Sequence, residues 1–242
     1  MESAFSRTEM LLGAEAMERL RQSRVAIFGL GGVGGYVLEA LARSGVGQLV
    51  LIDNDEVSLS NLNRQILATR ESIGRLKTDV AAERVRSINP DCRVETHALF
   101  YLPETRNEVS FTGLDYVVDA IDTVSGKLTI ITEARAAGVP MICSLGTGNK
   151  LDPSRLRISD LYETQMDPLA RIMRKECRKR GIDRLQVLWS DETPIVPDHH
   201  LAIQAIAEGG STRRSIPGSS AFVPAAGGLL IASRVIRDLT GR

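Results

Sequence analysis

The sequence has few cysteines, and those it has form no recognisable pattern. Cys92, Cys143 and Cys177 are an odd number among 242 residues, and no two of them make a C-x-x-C pair. This scarcity argues against a disulfide framework and against a tetrahedral zinc site. We therefore expect reduced thiols, with Cys143 packed in an apolar core strand.

Net charge and long apolar runs are also absent. Lys and Arg number 30, Asp and Glu number 30, and the longest apolar stretch, residues 221–232, is interrupted by Pro224, Gly227 and Gly228. A bilayer crossing needs about 20 uninterrupted apolar residues, and the first residues lack the basic start and apolar run of a secretory signal. These absences predict a soluble, cytoplasmic protein without a membrane span. They do not exclude a nucleic-acid partner, which needs only a local basic patch.

Apolar strands alternate with amphipathic helices in the first part of the chain. Residues 24–28 form an apolar strand that runs into a glycine-rich turn and then into a helical pattern, and residues 48–52 supply the next strand. Because such βαβ alternation demands parallel strands with helices on both faces, we expect an α/β fold with a doubly wound, Rossmann-like, mostly parallel sheet. The other elements predicted in this part are helices at 9–21, 77–88 and 126–137 and strands at 94–98, 115–122 and 140–144.

The second part of the chain is less regular. We expect a helix over residues 167–180 and a long loop over residues 191–220, which is rich in Pro, Gly, Ser and His. Strands are predicted at 156–158 and 185–189, and an apolar helix at 222–239. The chain is interpreted as one domain, with an arm and helix at 1–22, a Rossmann-like core at 23–145, and an extension at 146–242 that ends in the last helix.

The turn after the first strand carries a phosphate-binding pattern. Gly29, Gly31 and Gly34 match G-x-G-x-x-G between a strand and a helix, where glycines let backbone N–H groups approach a phosphate. Asp53 ends the next strand, where an acidic side chain would accept hydrogen bonds from a ribose. A tight turn without a ligand is the alternative, but the two features together favour a nucleotide.

The segment after the second strand supplies positive charge. Asn61, Arg64 and Gln65 lie close together in a polar stretch, and Lys77 begins the helix after it. A nucleoside triphosphate carries several negative charges that must be neutralised, whereas NAD needs no further cations. These residues favour a triphosphate such as ATP, although solvated polar residues would explain the same spacing.

Asp122 is predicted at the carboxyl end of the fourth strand. In the common doubly wound order that strand neighbours the first one, and the ligand crevice opens at the carboxyl ends of this pair. A carboxylate there could hold Mg²⁺ directly or through water, while Asp119 would point to the opposite face of the strand. The alternative for Asp122 is an N-cap of the following helix.

Together these motifs resemble the ubiquitin-activating-type adenylyltransferases, a superfamily that includes the ThiF, MoeB and HesA group. The resemblance implies one adenylation domain over residues 1–242, which uses ATP and Mg²⁺ to activate a carboxylate as an acyl adenylate. It implies catalytic roles for Arg64, Lys77 and Asp122, and a homodimer in which Arg7 reaches the phosphates bound to the other subunit. The residues predicted to bind the nucleotide are Gly29, Gly31, Gly34, Asp53, Asp55, Asn61 and Gln65.

Within this superfamily the chain looks most like the branch that dehydrates threonylcarbamoyladenosine next to the tRNA anticodon. Segments 146–153, 167–170 and 217–224 resemble that branch. The chain also lacks the two zinc-binding C-x-x-C pairs and the separate acceptor-cysteine domain that are usual in sulfur-carrier activators. The resemblance implies ATP-dependent cyclisation of the modified adenosine, with AMP and pyrophosphate as products, and a sulfur-transfer protein as a possible partner.

The helix that begins after Asp167 carries a basic face. Arg171, Arg174, Lys175 and Arg178 share one face at i, i+3, i+4 and i+7. Such a patch in a protein without net charge suits the binding of tRNA phosphates. A solvated charged face is the alternative.

Four further side chains could carry function but are expected to be structural. Cations near Cys177 could lower its thiol pKa, yet a reactive role is the weaker interpretation. His199 and His200 have no further ligands at metal-binding spacing and are predicted to lie at the surface. Trp189 is predicted to pack in the interior.

Rival functions fit part of this pattern. An activator of a ubiquitin-like sulfur carrier would use the same adenylation chemistry on a protein C-terminus. A non-catalytic nucleotide-sensing module would need the glycine turn and Asp53 but would leave Arg64, Lys77 and Asp122 without a role. A preference for Mg-ATP over NAD would favour the enzyme. A dehydrogenase is weaker still, because no acid or base for hydride transfer is evident.

Overall fold

A single sheet of seven strands organises the protein, and all neighbouring strands are parallel except β6 and β7. The computed structural model describes residues 4–198, 200 and 217–242. The strand order is β3-β2-β1-β4-β5-β7-β6, so the predicted doubly wound α/β fold is confirmed. The strands are β1 (Arg24–Phe28), β2 (Gln48–Ile52), β3 (Arg93–His97), β4 (Tyr116–Asp119), β5 (Met141–Ser144), β6 (Leu156–Asp160) and β7 (Gln186–Ser190).

Seven α-helices accompany the sheet within the described ranges. The prediction of one leading helix over 9–21 is wrong, because two helices meet at Gly13, whose φ of 85° ends the first. The later helices begin and end within about two residues of their predicted positions. The helices are α1 (Ser6–Leu12), α2 (Ala14–Gln22), α3 (Gly34–Arg43), α4 (Lys77–Ile88), α5 (Val124–Ala136), α6 (Pro168–Lys179) and α7 (Phe222–Thr240).

Both faces of the sheet are covered, which explains why its central strands are apolar at nearly every position. Val25 and Ile27 of β1 belong to the hydrophobic cluster that contains α2, α3, α4 and α7. Ala26 and Phe28 belong to the opposite cluster, with α5 and the segment 99–114. Side chains alternate between the faces of a strand, so burial on both faces requires a continuous apolar run. No helix in the described ranges combines the length and apolarity that a membrane crossing requires.

Helix α7 crosses the first turn of α3 so closely that the two backbones are nearly in contact. A Cβ atom on Gly228 would lie 2.4 Å from the carbonyl oxygen of Val33 and 2.7 Å from the Cβ of Tyr36. These separations are shorter than any van der Waals contact, so this crossing requires the hydrogen side chain of glycine. The contact fixes the last helix against the turn that follows β1.

We predict that Gly228→Ala destabilises the protein by about 1–3 kcal/mol, because overpacking must push α7 away from α3. Helix propensity alone predicts the opposite sign, a gain of about 1 kcal/mol. Urea unfolding measures the difference. The control is Ser233→Ala, an exposed position on the same helix. A Gly228→Ala protein as stable as the wild type would contradict the close crossing.

Candidate functional site

The carboxyl ends of the central strands open into one cleft of about 420 Å³. It lies where the chain order of the sheet reverses, because β2 and β3 extend from one side of β1 and β4 and β5 extend from the other. Ligands of open α/β sheets bind at such a switch point. The segments that follow β1, β2, β3, β4 and β5 all contribute to the wall of the cleft.

The glycine turn and Asp53 form one hydrogen-bonded unit at the bottom of this cleft. The N–H of Leu30 donates to Oδ2 of Asp53 at 2.6 Å, and the N–H of Asp55 donates to Oδ1 at 2.8 Å. Burial raises the pKa of Asp53 above its usual value, while the ammonium of Lys77 and these two donors act in the opposite direction. The carboxylate therefore shapes the turn through Oδ2, and Asp53 also lines the cleft.

The three glycines of the turn differ in what they do. Gly29 and Gly31 line the cleft, whereas Gly34 lies behind it as the first residue of α3. A Cβ on Gly34 would lie 1.8 Å from the carbonyl oxygen of Gly29, so only glycine allows the helix to begin this close to the strand. Gly34 thus supports the site through packing and does not line it.

Lys77 is a buried cation between two carboxylates. It is the first residue of α4 and only 4% exposed. Its Nζ lies 2.8 Å from Oδ2 of Asp55 and 3.9 Å from Oδ1 of Asp53. A buried ammonium requires such partners. Asp55 is itself exposed and lines the cleft, so this ion pair is accessible from the cleft.

The polar segment between β2 and α4 is a series of tight turns. Asn61 ends a short 3₁₀ turn, and its Oδ1 accepts a hydrogen bond from the N–H of Ser58 at 3.2 Å. Arg64 donates from Nη1 to the carbonyl oxygen of Ser60 at 3.0 Å, and burial lowers its pKa from the usual value. Gln65 is 7% exposed, and no donor in the described part of the chain reaches its buried Oε1. The segment therefore presents a desolvated cation and an amide with unused hydrogen-bonding capacity.

Asp122 lies in the loop after β4, because that strand ends three residues earlier than its predicted end. Its exposed side chain lines the cleft, and Oγ1 of Thr123 donates to its Oδ1 at 3.4 Å. The N-cap position of α5 belongs to Thr123, so the alternative role for Asp122 as that cap is not found. Asp119, the last residue of β4, is fully buried and pairs with Lys127 of α5.

Part of the cleft was missed by sequence reasoning. An apolar side consists of Leu99, Phe100 and Tyr101, which follow β3. Another side consists of residues 144–148, which follow β5, and Leu169. The same rule that located Asp122, that ligands meet the carboxyl ends of parallel strands, would have found both segments. Pro217, Ser219 and Pro224, before and at the start of α7, also line the cleft.

A second buried lysine lies behind the segment after β5. Lys150 is 4% exposed, and its Nζ lies 3.8 Å from Oδ2 of Asp167. Burial lowers the pKa of Lys150 from its usual value. The other oxygen of Asp167 accepts a hydrogen bond from the N–H of Ala170 at 3.0 Å and caps α6, as the sequence predicted. Lys150 thus ties the wall of the cleft to the start of the basic helix.

The four basic residues predicted on α6 have different environments. Arg171 and Lys175 are exposed, and the guanidinium of Arg178 lies 5.1 Å from the ring centre of Tyr162. Arg174 donates to the carbonyl oxygen of Thr164 at 3.0 Å and to the hydroxyl of the same residue. Arg174 therefore holds α6 in place, which leaves Arg171 and Lys175 as the cations most available to a ligand.

The other predicted residues lie away from the cleft. Arg7 is exposed on α1 and does not line the cleft of its own chain. Burial raises the pKa of Cys177 to about 11, which agrees with the structural role expected for it and not with the weaker alternative of a reactive thiol. Cys143 is fully buried in β5. His199 lies outside the described residues, and the N–H of His200 donates to Asp198.

Trp189 is an interior residue, as predicted from the sequence. It is 8% exposed, in one hydrophobic cluster with side chains of α5 and α6. Its indole N–H donates to the hydroxyl of Ser159 across the antiparallel pair of strands at 3.0 Å. The only tryptophan in the sequence therefore has a packing role.

Comparisons with known proteins agree with this architecture. The profile of the ThiF family matches residues 5–242. The chain is 41% identical over 238 residues to the tRNA threonylcarbamoyladenosine dehydratase of Bacillus subtilis, covering 97% of this chain and 94% of that protein. It matches the crystal structure of the Escherichia coli tRNA N6-threonylcarbamoyladenosine dehydratase in complex with ATP with a TM-score of 0.86 and 32% identity, covering 98% of this chain and 93% of that one.

A structure of the same Escherichia coli enzyme with AMP matches equally well, with a TM-score of 0.86 and 94% of that chain covered. These matches extend through the Rossmann-like core and the second part of the chain. The agreement therefore includes the segments after β5, which supply one side of the cleft, as well as the glycine turn. By sequence and by fold, this chain belongs to the ThiF family.

Proposed function

We propose that this protein catalyses the ATP-dependent dehydration of threonylcarbamoyladenosine next to the tRNA anticodon, which closes a ring in the modified nucleoside. One observation carries the proposal. A chain that matches dehydratases of this name over nearly its whole length also brings Gly29, Arg64, Lys77 and Asp122 into a single cleft at the switch point of the sheet. A nucleotide-sensing module would not need these cations and this carboxylate together.

ATP binds with its phosphates over the glycine turn. Gly29, Gly31 and Gly32 of that turn line the cleft, and Arg64 and Lys77 supply the positive charge that the phosphates require. In the structure described here Lys77 contacts Asp55. Phosphate binding lets the ammonium exchange this carboxylate for a more highly charged anion. The unsatisfied Oε1 of Gln65 is available to a donor group of the nucleotide.

The residues around the cleft fit Mg²⁺ only when it arrives with ATP. Within the described ranges no three His, Cys, Asp or Glu side chains gather in a way that could hold a metal ion. Mg²⁺ in nucleotide enzymes uses one or two carboxylates and completes its shell with phosphate oxygens and water. Asp122, exposed at the cleft, suits such a site. The ion would neutralise charge on the phosphates as the pyrophosphate departs.

The reaction proceeds in two steps at this site. The carboxylate of the threonyl group attacks the α-phosphorus of ATP, and pyrophosphate leaves. The carbamoyl group of the same nucleoside then attacks the acyl adenylate, closing the ring and releasing AMP. Arg64 and Lys77 stabilise the charge that develops on the phosphates, which is the dominant contribution in reactions of this kind.

The proposal includes a second copy of the chain and a nucleic-acid surface. Arg7, exposed on α1, would reach the phosphates bound to the other subunit of a homodimer. The exposed Arg171 and Lys175 of α6 would bind tRNA phosphates, since the same helix begins beside the cleft at Leu169. A sulfur-transfer protein as a further partner, and a cytoplasmic location, belong to the same proposal.

The direct test uses the purified protein, Mg-ATP and tRNA that carries threonylcarbamoyladenosine. After digestion to nucleosides, mass spectrometry should detect ATP-dependent loss of one water from the modified nucleoside. An unchanged nucleoside, with folded protein and bound ATP, would overturn the proposal. The next substrate to examine would then be the C-terminal carboxylate of a ubiquitin-like sulfur carrier.

We expect Lys77→Ala and Asp122→Ala to lower kcat for cyclisation by about 100- to 1,000-fold each, because each removes charge stabilisation at the phosphates. Single-turnover kinetics with saturating ATP and tRNA measure the loss. The matched control is Glu83→Ala, an exposed position on the same helix as Lys77. Turnover like that of the wild type in either variant would remove that residue from the mechanism.

The tRNA surface makes a separate prediction. The double charge reversal Arg171→Glu and Lys175→Glu should raise the KM for tRNA and leave the KM for ATP unchanged. The slope of log KM against log salt should fall by about 0.7 to 0.9 per lost phosphate contact. The control reverses two exposed charges elsewhere, Arg86→Glu and Arg93→Glu. If both pairs raise the KM equally, total charge and not α6 governs binding.

A further inference from the structure

The most deeply buried ion pair in the described part of the chain, Lys127 with Asp119, has no role in the chemistry above. Lys127, in the first turn of α5, is 0% exposed. Its Nζ lies 3.1 Å from both carboxylate oxygens of Asp119, 2.7 Å from the carbonyl oxygen of Ser144 and 3.4 Å from Sγ of Cys143. One ammonium therefore contacts the last residue of β4 and the last two residues of β5.

These contacts lie directly beneath two walls of the cleft. The residues that follow Asp119 line the cleft through Asp122, and the residues that follow Ser144 line it through Gly148. Oδ1 of Asp119 also accepts a hydrogen bond from the N–H of Ile121 at 3.2 Å. A continuous chain of polar contacts thus runs from Lys127 through Asp119 to the residue beside Asp122.

The stability of the fold does not by itself explain why Lys127 and Asp119 are buried as an ion pair. Removing an ammonium and a carboxylate from water costs several kcal/mol for each ion, and their attraction repays this only with good geometry. Burial favours the neutral amine, yet the pKa of Lys127 lies above its usual value, because the carboxylate of Asp119 is so close. An apolar pair of similar volume would stabilise the fold equally well or better.

We propose that Lys127 is a positioning residue, which fixes the Asp122 loop against the segment after β5 and so sets the geometry in which the cleft receives Mg-ATP. The inference rests on the proposed role of Asp122 toward Mg²⁺. Lys127 does not touch the cleft, and it acts through Asp119. Groups that orient the ligands of a metal ion typically change metal affinity or activity by about 10- to 100-fold when they are removed.

The test measures Mg²⁺-dependent ATP binding by calorimetry, with no tRNA present. The informative variant is the double substitution Asp119→Asn and Lys127→Met. It removes both buried charges together, which protects the fold, and the amide of the new side chain can still accept the N–H of Ile121. We expect the Mg²⁺ concentration for half-maximal ATP binding to rise about 10- to 100-fold. Lys127→Met alone should show the same shift together with a loss of stability.

A control variant breaks an ion pair in which only the carboxylate is buried, because the Arg84 side chain is 42% exposed. The guanidinium of Arg84 binds the buried Glu39 at 2.9 Å and 2.8 Å, and neither residue lines the cleft. Arg84→Met should lower the urea midpoint and leave the Mg²⁺ midpoint unchanged. This separates a positioning effect from a general loss of stability.

Two results would overturn the inference. One is a folded double variant that reaches half-maximal ATP binding at the same Mg²⁺ concentration as the wild type. The other is ATP binding by the wild type that does not depend on Mg²⁺. Failure of the proposed reaction would look different. In that case the midpoint would still shift in the variant, while wild-type protein would leave threonylcarbamoyladenosine unchanged.

Discussion

Cations that have little contact with water must have carboxylates beside them, and this requirement organises the functional end of the molecule. Lys77 lies between Asp53 and Asp55, and Lys127 lies against Asp119. Lys77 and Asp55 are 22 residues apart in sequence and Lys127 and Asp119 are 8 apart, and both pairs lie at the end of the sheet where the cleft opens. Without partners, either ammonium would carry a desolvation cost comparable to the whole free energy of unfolding of a small domain.

The two ion pairs differ in whether the carboxylate is accessible to solvent and to a ligand. The side chain of Asp55 is 59% exposed, so under the proposed function Lys77 would exchange it for a phosphate at modest cost. Asp119 and Lys127 are both closed off from solvent. The first ion pair is therefore open to the cleft, and the second is enclosed behind its walls. Lys150 with Asp167 resembles the second kind, on the side of the cleft that leads to α6.

The sequence predicted the fold well because its strongest signals are local. The β1 and β2 strands and the α4 helix begin and end where they were predicted to. Apolar runs mark the two strands, and α4 begins where a polar segment gives way to a helical pattern. The leading helix was misjudged because Gly13 breaks a pattern whose apolar spacing continues across it. The cleft was predicted in part. Residues with recognisable motifs were found, whereas Leu99, Phe100 and Tyr101 reach the cleft only because β3 ends at its edge.

Pairing of side chains was the least predictable property. Nothing in the spacing of the basic helix distinguishes Arg174, which binds Thr164, from Arg171 and Lys175, which are exposed. The pKa of Cys177 illustrates the same limit, because burial by distant segments outweighs the charges of its neighbours in sequence. Such outcomes depend on the distance between elements, which a single sequence does not encode directly.

The attachment of α6 fixes the distance between the cleft and the basic side chains of this helix. Its first turn borders the cleft at Leu169, Asp167 and Arg174 fasten it at two points, and Lys175 stands about 9 Å further along the axis, given the rise of an α-helix. Under the proposed tRNA-binding role of α6, this spacing would set the distance between the nucleotide in the cleft and the RNA phosphates that α6 contacts.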